Sequence, residues 1–251
     1  MALKIGSFLD HSTIDYPEEI VAVLGLCGCP FRCRFCHNGD LVYCSKWKDM
    51  EIKEIKSMID EYSDIITGVC ITGGEPLFQV DGLISLVSEI KNKLINIDTN
   101  GYFPDRLYDL LKTDRIEYIA MDIKTDLDLV RYQDLTFCKD NKLIERIFTS
   151  LYFLTRMKDK GKLKSIELRT TIIPGINDNP TIIQNLCSVI SRFNISCYVL
   201  NQFSPYKGTL DKSFEKITVM ERDELLSLSQ IAKEYIRDVR IRTTSRGEEK
   251  V

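Results

Sequence analysis

Short β-branched and aliphatic runs alternate along this chain with longer segments whose apolar residues recur at helical spacing. Ile20–Leu26 reads as the first strand. Met50–Tyr62 follows with Ile52, Ile55, Met58 and Ile59, a spacing of three and four that lines one helix face. The alternation then repeats. Further strands are expected at Ile65–Ile71, Ile95–Asp98, Ile116–Ile123, Ile166–Ile173, Ser196–Phe203 and Val239–Thr243. Helices are expected at Leu83–Leu94, Pro104–Leu111 and Lys142–Lys158, from Asp178-Asn-Pro to about Arg192, and at Met220–Ile236. Pro104 suits a first helical turn, where its missing N–H costs nothing. Six or so β-α repeats predict a parallel α/β sheet, because parallel strands need helical crossovers. No repeat, low-complexity tract or linker divides residues 1–251, so one domain is expected. Residues 1–19 read as an N-terminal arm and 237–251 as a C-terminal strand and tail. The polar, irregular run Asp126–Lys142 reads as a flap.

Glycine and polar residues gather just after the strands: Gly28-Cys-Pro, Gly73-Gly-Glu-Pro, Thr99-Asn-Gly and Lys124-Thr-Asp. Parallel sheets build their sites at these carboxyl ends. The 251 residues carry 34 basic and 37 acidic side chains, a net charge of −3. That balance gives no field suited to non-specific nucleic-acid binding. No apolar run is long enough to span a bilayer, and the first residues lack a signal-peptide pattern. A cytoplasmic protein with no membrane or nucleic-acid partner is expected.

Nine cysteines are many for such a chain, and an odd number cannot all pair. In a reducing compartment they are buried, metal-bound or redox-active. Cys70 and Cys197 sit in apolar runs and read as core residues. Cys27 and Cys44 read as structural. Cys29, Cys33 and Cys36 form a C-x3-C-x2-C directly after the first strand. Three thiolates on one loop can hold three corners of an iron–sulfur cluster and leave one iron open. A zinc site that adds another ligand, such as His37, is the rival reading, and a coincidental cluster the third.

The segment Gly28–Asn38 (GCPFRCRFCHN), with Phe35 before the third cysteine, resembles the cluster loop of the radical S-adenosylmethionine superfamily, and Gly73-Gly74-Glu75-Pro76 is similar to its second motif. Ser12-Thr-Ile-Asp-Tyr-Pro17, Cys36-His-Asn38, Asp98-Thr-Asn-Gly101, Met121-Asp-Ile-Lys124, Arg169 with Ile173-Pro-Gly175, and the terminal Arg240-Ile-Arg-Thr-Thr further resemble the glycyl-radical-enzyme activating enzymes. Among these, the anaerobic ribonucleoside-triphosphate reductase activating proteins are the closest in pattern, over nearly the whole chain.

The resemblance implies a partial (β/α)6 TIM-like barrel and a single 4Fe-4S cluster on Cys29, Cys33 and Cys36. It implies S-adenosyl-L-methionine on the open iron, cleaved reductively to a 5′-deoxyadenosyl radical. It also implies cofactor contacts from Phe35, Asn38, Gly73, Gly74, Glu75, Asp98, Asp122, Lys124 and Arg169. The two aspartates would act through a monovalent cation, and Glu75 would face the cofactor's ammonium group. Gly73 and Gly74 would let backbone approach the methionine part, having no Cβ. Asp15 would meet the substrate's glycyl loop, and His37 would not be a ligand. No separate catalytic side chain is implied, since the cluster and cofactor carry the chemistry. The implied partners are a glycyl radical enzyme, first among them anaerobic ribonucleotide reductase, and a one-electron donor such as flavodoxin or ferredoxin. Lys207 departs from the pattern of the pyruvate formate-lyase activating enzymes, where a histidine follows Pro-Tyr. The alternatives are a small radical enzyme acting on a small molecule or another peptide, and a non-catalytic metal or electron-transfer module.

Overall fold

The computed structural model describes residues 1–206 and 208–251, so Lys207 lies outside the described residues. Seven strands run parallel: β2 (Val21–Leu26), β4 (Gly68–Gly73), β5 (Leu94–Thr99), β6 (Tyr118–Asp122), β7 (Ser165–Ile172), β8 (Cys197–Gln202) and β9 (Val239–Thr243). Antiparallel strands extend both edges. These are β1 (Ala2–Ser12) beside β2, β3 (Lys48–Glu51) beside β1, and β10 (Gly247–Lys250) beside β9. The sheet order is β10-β9-β8-β7-β6-β5-β4-β2-β1-β3, and its two edge strands do not pair. The result is an open, partial barrel.

Helices α1 (Gly39–Tyr43), α2 (Ile52–Asp60), α3 (Val80–Glu89), α4 (Pro104–Leu111), α5 (Leu129–Thr136), α6 (Leu143–Asp159), α7 (Pro180–Ile190) and α8 (Arg222–Lys233) fill the crossovers. Strand residues alternate between faces. Leu24, Ile71, Ile97, Ile119, Leu168, Leu200 and Ile241 join the helices in the main core. The inner face has a smaller core of Tyr16, Val21, Cys70, Tyr118 and Ala120. Tyr16 lies on Tyr118, ring centroids 4.9 Å apart. Both Val21 and Tyr118 begin their strands, so the segment after β1 crosses the amino end of the barrel as a floor.

Two expectations are corrected here. Most of the N-terminal arm is strand β1. Its pairing with β2 slips between Ile5 and Ser7 and again between Leu9 and Ser12, which breaks the period of two that marks a strand. The run read as a flap contains α5, capped by the Asp128 side chain and buried through Tyr132 and Leu135. Arg131 also donates two hydrogen bonds to the buried Asp126, at 2.8 and 2.7 Å.

Candidate active site

The cysteine loop leaves β2 through Gly28, whose φ of +94° belongs to the left-handed region that favours glycine. The Arg32 guanidinium folds back over the loop and donates to the carbonyls of Cys29 (2.6 Å) and Phe31 (2.8 Å). The Arg32 and Arg34 amides donate to the last free carbonyls of α5, on Thr136 (2.8 Å) and Leu135 (3.2 Å). Phe31 anchors the same junction against Tyr102 and Tyr132. The segment expected to move is therefore the shelf on which the cysteine loop rests.

Four strand ends meet this loop. Past β4, the Gly74 amide donates to the Leu26 carbonyl (2.9 Å) and the Glu75 amide to the Gly28 carbonyl (2.8 Å). A Cβ on Gly73 would stand 3.0 Å from the Gly25 carbonyl carbon, and one on Gly74 2.8 Å from that of Gly28. Gly73 is thus required where the end of β4 packs on β2, and Gly74 where the turn meets the cysteine loop. Glu75 is fully buried and accepts from the Leu77 amide (3.1 Å), the Thr99 hydroxyl (2.8 Å) and the Asn100 amide (2.7 Å). Its carboxylate is chiefly a brace between the loops after β4 and β5. Burial pushes its pKa up to about 7, against those three hydrogen bonds.

Asp98 lies on the inner face of β5, with Arg169 of β7 at 3.3 Å. Arg169 also pairs with the fully buried Glu167, which holds Tyr118 and Arg242 as well. Burial works against the charge on Arg169, but Asp98, Glu167 and Asp122 more than offset it and raise its pKa. Asp122, ending β6, accepts from the Lys124 ammonium at 2.6 Å. The two aspartates expected beside a cation thus each face a basic side chain.

These groups surround one cavity of about 390 Å³. Cys29, Cys33, Cys36, Phe35, Asn38, Gly73, Gly74, Glu75, Asp98, Asp122, Lys124 and Arg169 all line it. Asp15 does not. Its carboxylate accepts from Ser12 (2.5 Å), and its carbonyl accepts from Asn96 (2.9 Å), whose amide also reaches Asp98 (3.2 Å). Thr99, Asn100 and Thr171 line the cavity too; the first two stand in the Asp98-Thr-Asn-Gly101 motif without a role of their own, and sequence reasoning did not single out Thr171. Asn100 donates toward the Cys29 sulfur at 3.6 Å. Thr99 and Asn100 stand at the end of β5, and Thr171 is the residue before the last of β7. His37 borders the cavity as well, with its ring bonded to the Gly208 carbonyl (2.7 Å) and stacked on Phe203.

Burial raises the pKa of all three thiols, that of Cys33 to about 12, and Lys124 opposes this at each of them. The thiolates required of metal ligands therefore need a cation added to the cavity. Among the described residues no three His, Cys, Asp or Glu side chains stand close enough to hold one metal ion. A cluster takes each thiolate on a different iron, and cysteines spread round one cavity suit it.

A protected loop of three cysteines facing close-approach glycines and paired charges suits an enzyme that cleaves S-adenosylmethionine, and the chain belongs to the radical SAM superfamily, which residues 23–183 match. Over 246 residues, 97% of both chains, it is 33% identical to a protein of Methanocaldococcus jannaschii provisionally named a glycyl-radical enzyme activating enzyme. It is 26% identical over 248 residues to the pyruvate formate-lyase-activating enzyme of Clostridium pasteurianum, covering 93% of this chain and 98% of that one. The fold resembles a radical SAM methyltransferase from Sphaerobacter thermophilus, with a TM-score of 0.69 and 14% identity over 92% of this chain and 68% of that one. The protein is an enzyme of the glycyl-radical activating type. Among the described residues no helix is long and apolar enough to cross a membrane.

Proposed function

We propose that this enzyme installs a glycyl radical on a partner enzyme, an anaerobic ribonucleoside-triphosphate reductase. The observation that carries the reading is the single cavity in which the cysteine loop meets charged and backbone groups from the ends of β4, β5, β6 and β7. Relatives named as activating enzymes match nearly the full chain, which supports a polypeptide substrate. The partner's identity rests on the motif resemblance.

Cys29, Cys33 and Cys36 would hold a 4Fe-4S cluster, whose fit is supported by two buried thiols, a half-buried third and a loop locked by Arg32. When bound, the cluster and S-adenosylmethionine supply an electron and the 5′-deoxyadenosyl group that takes a hydrogen atom from glycine. The chain's own work is placement and exclusion of water. Lys124 and Arg169 offer positive charge to a carboxylate, Asp98 and Asp122 offer negative charge to an ammonium group or a monovalent cation, and Phe35 and Asn38 flank the adenosyl side. Gly73-Gly74 present backbone groups, and Glu75 keeps that turn in place. Asp15 would contact the incoming glycyl loop, and a flavodoxin or ferredoxin would donate the electron.

The test is anaerobic reconstitution with iron and sulfide, then dithionite and S-adenosylmethionine. 5′-Deoxyadenosine and methionine should form, and an α-deuterated partner glycine should pass its label to the deoxyadenosine. Undiminished cleavage by Cys29→Ala protein would remove the ligand assignment. Label appearing from a small molecule instead would favour a different substrate class.

A further inference from the structure

The inner wall of the barrel continues past the cavity onto β8 and β9. Thr171 lines the cavity, and its register partner on β8 is Asn201, which in turn faces Arg242 on β9. Cys197, four residues earlier on β8, reaches the inward Glu167 at 3.8 Å. The two-residue period of a strand carries that inward direction on to Val199 and Asn201. Gln202 faces the other way and is fully engaged, with Met220 at one end and Thr244 at the other. Arg242 is taken up by Glu248 and Glu167. Asn201, by contrast, is not engaged in this way. Its Oδ1 is buried and has no hydrogen-bond partner among the described residues. A buried oxygen of this kind is costly to leave unpaired, and it calls for a donor from elsewhere.

The open side of the sheet lies between β10 and β3. A segment entering on the β10 side passes β9 and β8 before it reaches Thr171 and the cavity. Glycine has no side chain to be read, so its recognition has to use the backbone beside it. A carboxamide carries the donor and acceptor of a peptide group and can pair with one through two hydrogen bonds. We infer that Asn201 is a substrate-recognition residue whose carboxamide takes up a peptide group adjoining the target glycine; this rests on the polypeptide-substrate reading above. Thr171 marks the point where that backbone hands over to the cavity.

The test uses the reconstituted full chain and a defined probe, acetyl-Ala-Ala-Gly-Ala-Ala-amide with its glycine α-deuterated. Two further versions each carry an N-methyl group on one of the peptide nitrogens beside the glycine carbons. Deuterium in 5′-deoxyadenosine gives kcat and KM, and calorimetric titration of the cluster-free chain gives peptide affinity. Asn201→Leu should raise KM and the dissociation constant roughly tenfold, the loss of a hydrogen-bonded pair. One N-methylation should weaken wild-type binding as much, yet cost the Asn201→Leu protein nothing more. Additive losses, or unaltered peptide affinity in the variant, would overturn the assignment. So would a comparable loss of S-adenosylmethionine affinity measured without peptide, which would give Asn201 to the cofactor. Cofactor cleavage by the wild type with no label taken from any of the three peptides would instead sink the polypeptide-substrate reading, and this assignment with it.

Discussion

Gly74→Ala probes the contact that locks the β4 turn to the cysteine loop. The φ of Gly74 is not left-handed, so the substitution adds sterics alone. The new Cβ would lie 2.8 Å from the Gly28 carbonyl carbon and 3.2 Å from Cys29 Cβ. Carbon atoms rest about 3.5–4.0 Å apart, so the two segments have to separate by roughly 1 Å. Neither neighbour is a flexible side-chain end. The hydrogen bonds from the Gly74 and Glu75 amides stretch with that movement. Overpacking of this kind costs about 1–3 kcal/mol. At roughly 2–4 °C per kcal/mol for a chain of this size, Tm should fall by about 2–12 °C. The functional loss should be larger, because the first cysteine of the triplet moves relative to the groups beyond β4. A misplacement of about 1 Å can cost on the order of 100-fold in rate. The assay is anaerobic reconstitution, iron and sulfide per chain, then the rate of 5′-deoxyadenosine formation. Wild-type iron content together with cleavage within about threefold of wild type would show that the turn does not position the cysteine loop, and the reasoning would fail.

Glu167→Leu should destabilise the cluster-free chain by about 3–5 kcal/mol in urea, since Arg169 and Arg242 lose a fully buried partner. Burial alone would raise the pKa of Glu167, but Arg169, Tyr118 and Arg242 prevail and hold it below the ordinary carboxylate value. Its contribution is therefore complete above that range and lost as pH falls through the folded value, so the gap between wild type and variant should close in acid; a gap independent of pH would count against the network. Tyr16→Ala removes the ring lying on Tyr118 and should cost about 3–5 kcal/mol by thermal or urea melting, whereas a near-neutral result would mean the floor is not packed. Cys27→Ser and Cys44→Ser should retain wild-type iron after reconstitution; loss of iron in either would add a ligand beyond the triplet.

Repetition made the fold legible. Seven parallel strands and the long helices follow from apolar period and turn residues, with Pro104–Leu111 and Val239–Thr243 recovered to the residue. Failures came where local period and tertiary partner disagree. β1 hides behind its two register slips, and α5 is a short helix in which polar residues are as many as apolar ones. The expected helix Met50–Tyr62 took in the last two residues of β3, because Met50 is apolar and stands directly before the helical run that starts at Ile52. Most of the cavity lining was legible through the motif resemblance, on residues at or near the carboxyl ends of strands. What these residues touch was not. Glu75 carries no mark in the sequence that its carboxylate braces two loops, and nothing near Asp98 or Asp122 announces Arg169 or Lys124 as the neighbour. Those facts depend on strand register, which a one-dimensional pattern does not contain.

The two edge strands have a bearing on how such a sheet stays single. β3 and β10 are each four residues long, reading Lys-Asp-Met-Glu and Gly-Glu-Glu-Lys. Exposed edges recruit further strands from other molecules when they are long, flat and apolar. Here β10 is held by Arg240, Arg242, Arg222 and Asp238 through its own charged side chains, and β3 exposes three of its four residues. Each rim ends in charge before a neighbour's strand has room to add. The barrel can thus remain unfinished without drawing a second copy in to finish it, and the gap stays available to a guest that enters across the wall.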